Sequence, residues 1–203
     1  MKVLLSMMLF VGSQVYGATY LYKWKAGNSP LKSEFSKVLP EDKFVAEIPE
    51  NIADKLRLSA QFEYFEKDQK VDMPAVSFKD TKSNSNKNWV LDRVNVHQAW
   101  RVTKGSPNVI VGVCDSGIDR TNPEFKGKVL RGWNFVGNNS NTNHYLFDSG
   151  RPNTHGSMVA SFIAAEYNEA NGNGGVAPGV KILPGLINAG VSAYNSNIIK
   201  CIR

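Results

Sequence analysis

Residues 108–119 read NVIVGVCDSGID, an unbroken apolar run that ends in a carboxylate and a tight turn. Apolar runs without polar alternation are typical of strands that are buried on both faces of a parallel sheet. Open parallel sheets bind their ligands beyond the carboxyl ends of the strands. The pattern therefore predicts a buried strand over 109–114, and it places Asp115 where chemistry would occur.

A histidine opens a second apolar segment, in which residues 153–161 read NTHGSMVAS. Met158, Val159 and Phe162 recur at helical spacing, and such a segment, apolar nearly all round, predicts a helix buried inside a larger body. An aspartate that fixes the tautomer of an imidazole leaves the other ring nitrogen free to take a proton from a serine hydroxyl. Asp115 and His155 are therefore candidate catalytic residues, two members of an Asp/His/Ser triad.

Other interpretations of these residues exist. Taken singly, Asp115 could cap a turn and His155 could be a hydrogen-bonded structural histidine. A metal-dependent hydrolase built from Asp115, Asp119, His144 and His155 is an alternative, although their spacing matches no helical or Cys/His ligand pattern. The joint occurrence of the aspartate and the histidine, in order and each after a suitable local signal, favours the triad.

The ends and the composition of the chain limit its compartment and partners. Residues 1–17 combine an early lysine, an apolar run and small residues near position 17, which is typical of a secretory signal peptide. We therefore expect secretion, to the extracellular space or the periplasm, and no membrane span. The net charge of +6 is not concentrated in a basic run, so nucleic-acid binding is not expected.

The sequence between the signal and the apolar strand predicts a separate small unit. Ten polar residues at 79–88 contain no apolar side chain, so we expect an exposed linker that divides residues 18–78 from residues 89–203. A further parallel strand is predicted over 180–183, ended by Pro184 and Gly185, and a helix begins near Ser196. The elements predicted in 18–78 are strands at 20–25, 44–48 and 61–67 and a helix starting at 49.

At this point the residues carry a family resemblance. The segment VCDSGI at 113–118 resembles the aspartate box of the subtilisin-like serine proteases, the subtilase family, and HGSMVA at 155–160 resembles their histidine box. In the second box, Ser157 stands where threonine is more usual. Residues 89–100 resemble the start of the mature enzyme, and residues 174–179 resemble the segment that follows the histidine helix.

The resemblance implies an α/β fold, an incomplete doubly wound parallel-sheet catalytic domain preceded by a small α+β pro-domain at 18–78. It implies a polypeptide substrate, a pro-domain that acts as intramolecular inhibitor and foldase, and no cofactor for the chemistry. Structural calcium is common in the family, but its ligands are not placed here, with Asp119 and Glu124 as weak candidates.

The nucleophilic serine and the oxyanion asparagine of the family are not identified. Ser192 and Ser196 lack the Gly-x-Ser-x context that exposes a nucleophile. The expectation is therefore a truncated protease precursor that is inactive alone. The alternative is an inhibitor or decoy that acts through the pro-domain.

Two cysteines complete the set of reactive groups. Cys114 lies at the end of the apolar strand, where a free thiol behaves as a small buried hydrophobe, and this interpretation is favoured over a Cys114–Cys201 disulfide. A Cys114–His155 nucleophile pair is a further alternative, but Asp115 is the better-placed residue for orienting a base.

Overall fold

The structure, a computed structural model, describes residues 17–28, 39, 43–72, 89–147, 149–168, 174–190 and 192–203. The chain divides into two compact units, Met1–Asp68 and Gln69–Arg203. Nearly all of the expected signal peptide and the whole expected linker at 79–88 lie outside the described residues. Within the described ranges, no helix has the length and apolar character needed to cross a membrane.

The first unit is a three-stranded antiparallel sheet with one helix packed on it. Its elements are β1 (Ala18–Trp24), β2 (Val45–Ile48), α1 (Glu50–Arg57) and β3 (Phe62–Lys67), which confirms the predicted strands and helix. The strand order is β2-β1-β3. The amphipathic helix α1 buries Ala53 and Leu56 against Tyr20 and Tyr22 of β1, because these side chains share one face of each element.

The second unit contains a parallel sheet and a smaller antiparallel one. In chain order the elements are β4 (Lys70–Asp72), α2 (Trp89–Arg93), α3 (Val96–Ala99), β5 (Ile110–Asp115), β6 (Trp133–Asn134), α4 (His155–Ala164), β7 (Lys181–Leu186), β8 (Asn188–Ala189), β9 (Ser192–Tyr194) and α5 (Asn195–Ile202). Strands β5, β7 and β6 lie side by side in that order and run parallel. Strands β4, β9 and β8 form the antiparallel sheet.

Helix α4 covers one face of the parallel sheet and forms the main core of this unit with it. The buried core residues are Val113, Ile118, Phe125, Ala160, Ala164, Val180 and Ile182. The sequence predicted that the strand over 109–114 and the helix after His155 are buried nearly all round. In the structure Ile110 is 55% exposed and Phe162 is 54% exposed, so both elements are less buried than predicted. In the described part of the chain β5 has a partner strand on one edge only, and Phe162 lies outside the core that α4 shares with the sheet.

Strand β7 runs through Pro184 and Gly185, so the expectation that these residues end it was wrong. Proline has no N–H and is tolerated only where the ladder does not need that donor. On the β6 side the ladder is irregular at this point: Leu130 N–H donates to Ile182 O, and regular pairing resumes only at Gly185, opposite Trp133. The missing donor of Pro184 therefore falls in the interrupted part of the ladder.

Strand β4 belongs to the second unit, although the sequence groups its residues with the first. It pairs antiparallel with β9, with Val71 opposite Ala193. The backbone continues the contact, since Asn195 N–H donates to Gln69 O at 3.0 Å. An extended segment at 69–72 thus occupies the edge of β9, because an unpaired strand edge offers a row of free backbone donors and acceptors.

Candidate active site

The two candidate catalytic side chains are in direct contact. His155 Nδ1 lies 2.8 Å from Asp115 Oδ1 and 2.9 Å from Oδ2. The Asp115 side chain is 9% exposed, whereas that of His155 is 35% exposed. With the proton on Nδ1, the ring donates to the buried carboxylate, and Nε2 keeps a lone pair for an incoming proton.

The end of strand β5 fixes the position of Asp115. Its carbonyl oxygen accepts a hydrogen bond from Ile187 N–H at 2.9 Å, and its Oδ1 accepts one from Ser116 N–H at 2.7 Å. The chain then turns at Gly117, whose φ of +92° favours glycine and whose missing Cβ leaves room for the carbonyl of Asn143. The carboxylate is therefore held by its own turn before the histidine contributes.

A network of hydrogen bonds around Asn153 fixes the start of helix α4. Asn153 Oδ1 accepts from His155 N–H at 3.2 Å, and its Nδ2 donates to Gly190 O at 2.8 Å. The Ser116 hydroxyl donates to Asn153 O at 3.1 Å and accepts from Gly156 N–H at 3.0 Å. The aspartate turn, the histidine helix and the β8–β9 turn are thus joined through one asparagine and one serine, neither of which was singled out from the sequence. An asparagine two residues before a helix start is a recognisable turn signal, so Asn153 could have been identified from the sequence.

Gly156 is required by packing inside the protein. A Cβ at this position would collide with the carbonyl oxygen of Gly117 and would approach Asp115 Cβ to 3.1 Å. The space beside Gly156 is therefore taken by the aspartate turn. This glycine lets the helix approach the turn closely enough for the imidazole to reach the carboxylate.

Replacing Asn153 with Ala is expected to lower the free energy of unfolding by about 2 kcal/mol, because two hydrogen bonds of roughly 1 kcal/mol each are lost at a largely buried side chain. Urea denaturation measures the effect. Asn139→Ala is the matched control, since Asn139 also makes two side-chain hydrogen bonds but is exposed, so water can replace them. Equal losses at both positions would contradict the proposed importance of the network.

The structure joins Cys114 to Cys201 in a disulfide, so the interpretation of Cys114 as a free thiol was wrong. It also excludes Cys114 as a nucleophile paired with His155. The two residues are 87 positions apart in sequence, and helix α5 brings Cys201 to the end of β5. Spacing in the sequence gave no sign of this proximity, which arises only from packing.

The remaining polar candidates serve local structure. The pKa of Asp119 is held below its usual value, first because the Thr121 hydroxyl donates to its carboxylate and then because the Thr121 N–H does. The Ser157 hydroxyl accepts from Asp119 N–H at 2.8 Å and so ties the turn to helix α4. Glu124 N–H donates to Asn122 Oδ1 at the start of a short 3-10 turn.

Over the ranges that the structure describes, no three His, Cys, Asp or Glu side chains form a group that could hold a metal ion.

Neither serine after the last parallel strand is placed as a nucleophile. Ser192 lies in β9 and is 5% exposed, and Ser196 lies in α5 and is 4% exposed. A polypeptide cannot reach a hydroxyl that is buried to this extent. The structure agrees on this point with the absence of a nucleophile motif around both residues.

Comparisons with known proteins match part of this chain. Residues 106–203 match the model of the peptidase S8 family, the subtilase family. The chain is 44% identical over 85 residues to a thermophilic serine proteinase of Bacillus sp. (strain AK1). This alignment covers 42% of this chain and 20% of the relative. It is 38% identical over 112 residues to fervidolysin of Fervidobacterium pennivorans, covering 51% of this chain and 14% of the relative. The chain thus spans a fifth or less of the length of these relatives.

The fold has a counterpart among solved structures. The crystal structure of fervidolysin, described as a keratinolytic enzyme related to subtilisin, matches 87% of this chain and 31% of its own with a TM-score of 0.59 and 23% sequence identity. At this identity the match supports the fold alone. Residues 106–203, the segment that contains Asp115 and His155, match the model of the subtilase family, and the structural match supports a subtilisin-like fold.

Proposed function

We propose that Asp115 and His155 are the aspartate and the base of a serine endopeptidase that hydrolyses polypeptides. The observation that carries this proposal is the contact of His155 Nδ1 with the buried Asp115 carboxylate at the carboxyl end of a parallel strand. During attack, His155 Nε2 would take the proton of a serine hydroxyl while Asp115 stabilises the imidazolium, and Nε2 would then return the proton to the leaving amine. No cofactor takes part in this chemistry.

The test uses a form of the protease that carries the nucleophilic serine. It combines covalent labelling with a fluorophosphonate and hydrolysis of a general peptide substrate. We expect labelling of one serine and its loss in His155→Ala, because an unassisted hydroxyl is a weak nucleophile. His97→Ala is the matched control, since His97 Nε2 lies 3.4 Å from Asp92 Oδ1 in a second, half-exposed His–Asp pair. Equal loss of labelling in both variants would contradict the assignment of the base.

The proposal includes a pro-domain in residues 18–78 that inhibits the enzyme within the same chain. The pairing of β4 with β9 supports it, because extended peptides commonly bind by adding a strand to a sheet edge. A segment of the chain at this edge would exclude a peptide substrate from it. Removal of residues 18–78 would then free the edge for substrate.

Maturation is expected to cut the chain between Phe78 and Trp89. The segment 79–88 consists of ten polar residues that cannot form a packed core, and such segments are the preferred sites of proteolysis. Mass spectrometry of the mature N-terminus measures the position. A mature N-terminus inside 18–67 or inside 110–186 would refute this boundary.

We also propose that the protein is secreted. Residues 1–17 have the composition of a signal peptide, and the Cys114–Cys201 disulfide fits an oxidising compartment, where such bonds form and persist.

A further inference from the structure

The Cys114–Cys201 disulfide lies directly beside the candidate catalytic pair. Cys114 is the residue before Asp115 in β5. Side chains alternate along a strand, so Val113, which packs in the core with α4, and Cys114 point to opposite faces of the sheet. On the face opposite to α4, the disulfide ties β5 to Cys201 in the last turn of α5.

The bridge crosses the neighbouring strand at a glycine. Gly185 of β7 is the register partner of Cys114, and Leu186 is the partner of Asp115. A Cβ at Gly185 would collide with Cys201 Sγ and would lie 3.6 Å from Cys114 Sγ. Cys114, Gly185 and Cys201 therefore form one unit, in which the glycine leaves the space that the disulfide occupies.

The disulfide joins a strand that is paired on one edge to a helix that is only partly buried. In the described part of the chain, β5 pairs only with β7, so the other edge of the strand has no ladder to hold it. Helix α5 is itself loosely seated, because Ile198 and Ile199 are only partly buried and Ile202 is 75% exposed. Weakly packed helix ends open locally at low free-energy cost. The covalent bond fixes the end of α5 to the buried end of β5, next to Asp115.

We propose that the Cys114–Cys201 disulfide, with Gly185 beneath it, is a positioning device that holds the end of β5 in register and so keeps the Asp115 carboxylate against His155 Nδ1. Cys114 and Cys201 touch no reacting atom and act through Asp115. The inference rests on the proposed function of the Asp115–His155 pair, but it concerns the geometry of the pair and not the reaction that the pair performs.

The test is proton NMR of the full 203-residue chain, which needs no catalytic turnover. A proton on an imidazole Nδ1 that is held by a carboxylate resonates far downfield of the amide protons, and its absence in His155→Gln assigns it. We expect this resonance in the oxidised wild-type chain and its loss in the Cys114→Ala/Cys201→Ala double variant. Each spectrum is recorded at the same interval below the unfolding midpoint of that variant.

Val180→Ala is the control for general destabilisation. Val180 is a buried core residue next to the opposite end of β7, so this variant weakens the same unit without touching the bridge. We expect it to retain the resonance. If the double variant retains the resonance as well, or if Val180→Ala loses it equally, the disulfide has no positioning role.

Gly185→Ala carries the test if the double variant fails to fold. It keeps both cysteines but fills the space that the bridge occupies, so we expect a shifted or broadened His155 Nδ1 proton resonance. A resonance unchanged from that of the wild-type chain would overturn the proposal. Either result leaves the proposed peptidase function standing, because that function is tested separately by serine labelling and peptide hydrolysis.

Discussion

In a form of the protease that carries the nucleophilic serine, replacing Asp115 with Asn is expected to lower kcat/KM for a peptide substrate by about 10⁴-fold. This is the size of effect known for a triad aspartate. The Asn side chain keeps an oxygen that can accept from Ser116 N–H, so the turn and the fold should survive. Its amide group, however, presents a donor to His155 Nδ1, which favours the tautomer with the proton on Nε2. The base is then unable to accept the serine proton. Steady-state kinetics with one peptide substrate, alongside circular dichroism, measures the loss.

Asp92→Asn is the matched control, because Asp92 is the partner of His97 in the second His–Asp pair of the same unit. The change in charge and size is identical, but both partners are about half exposed. We expect kcat/KM to stay at the wild-type level. A comparable fall in both variants would mean that the loss at Asp115 reflects lost charge in general and not its hold on the base.

The sequence identified the candidate catalytic pair because local signals surround each member. A nearly unbroken apolar run before Asp115 predicted β5, and helical spacing after His155 predicted α4. Parallel strands place their carboxyl ends at one edge of the sheet, so two such motifs in order were enough to bring the pair together in the prediction. Their contact in the structure also needs Gly156, which lets α4 approach the turn after β5 closely.

Features that depend on long-range packing could not be predicted in the same way. The Cys114–Cys201 disulfide joins residues 87 positions apart, and only the position of α5 makes it possible. The passage of β7 through Pro184 depends on an interruption of the ladder with the β6 side. The need for glycine at position 156 also arises from packing, because the atom that fills the space is the carbonyl oxygen of Gly117, in the turn after β5. In each case, the local pattern was compatible with more than one tertiary environment.

Loss of the disulfide is expected to lower the free energy of unfolding of the second unit by about 4.5 kcal/mol. The bond closes a loop between residues 87 positions apart, and cross-linking so long a loop removes a large conformational entropy from the unfolded chain. This amount is a large share of the roughly 5–15 kcal/mol that stabilises a typical domain. Guanidinium denaturation of the Cys114→Ala/Cys201→Ala variant against the oxidised wild-type chain measures the difference.

A dithiol reductant provides the matched control for this measurement. It should move the wild-type unfolding midpoint toward that of the double variant and leave the double variant unchanged, because only the wild-type chain has a bond to cleave. The contrary result is a wild-type midpoint that fails to respond to the reductant, although titration of free thiols after unfolding shows that the bond was present and was cleaved. In that case the bond forms without stabilising the fold. The entropic account would then be wrong, because closing the loop would be offset by strain in the folded state, and the value of the bond would lie in local positioning at Asp115.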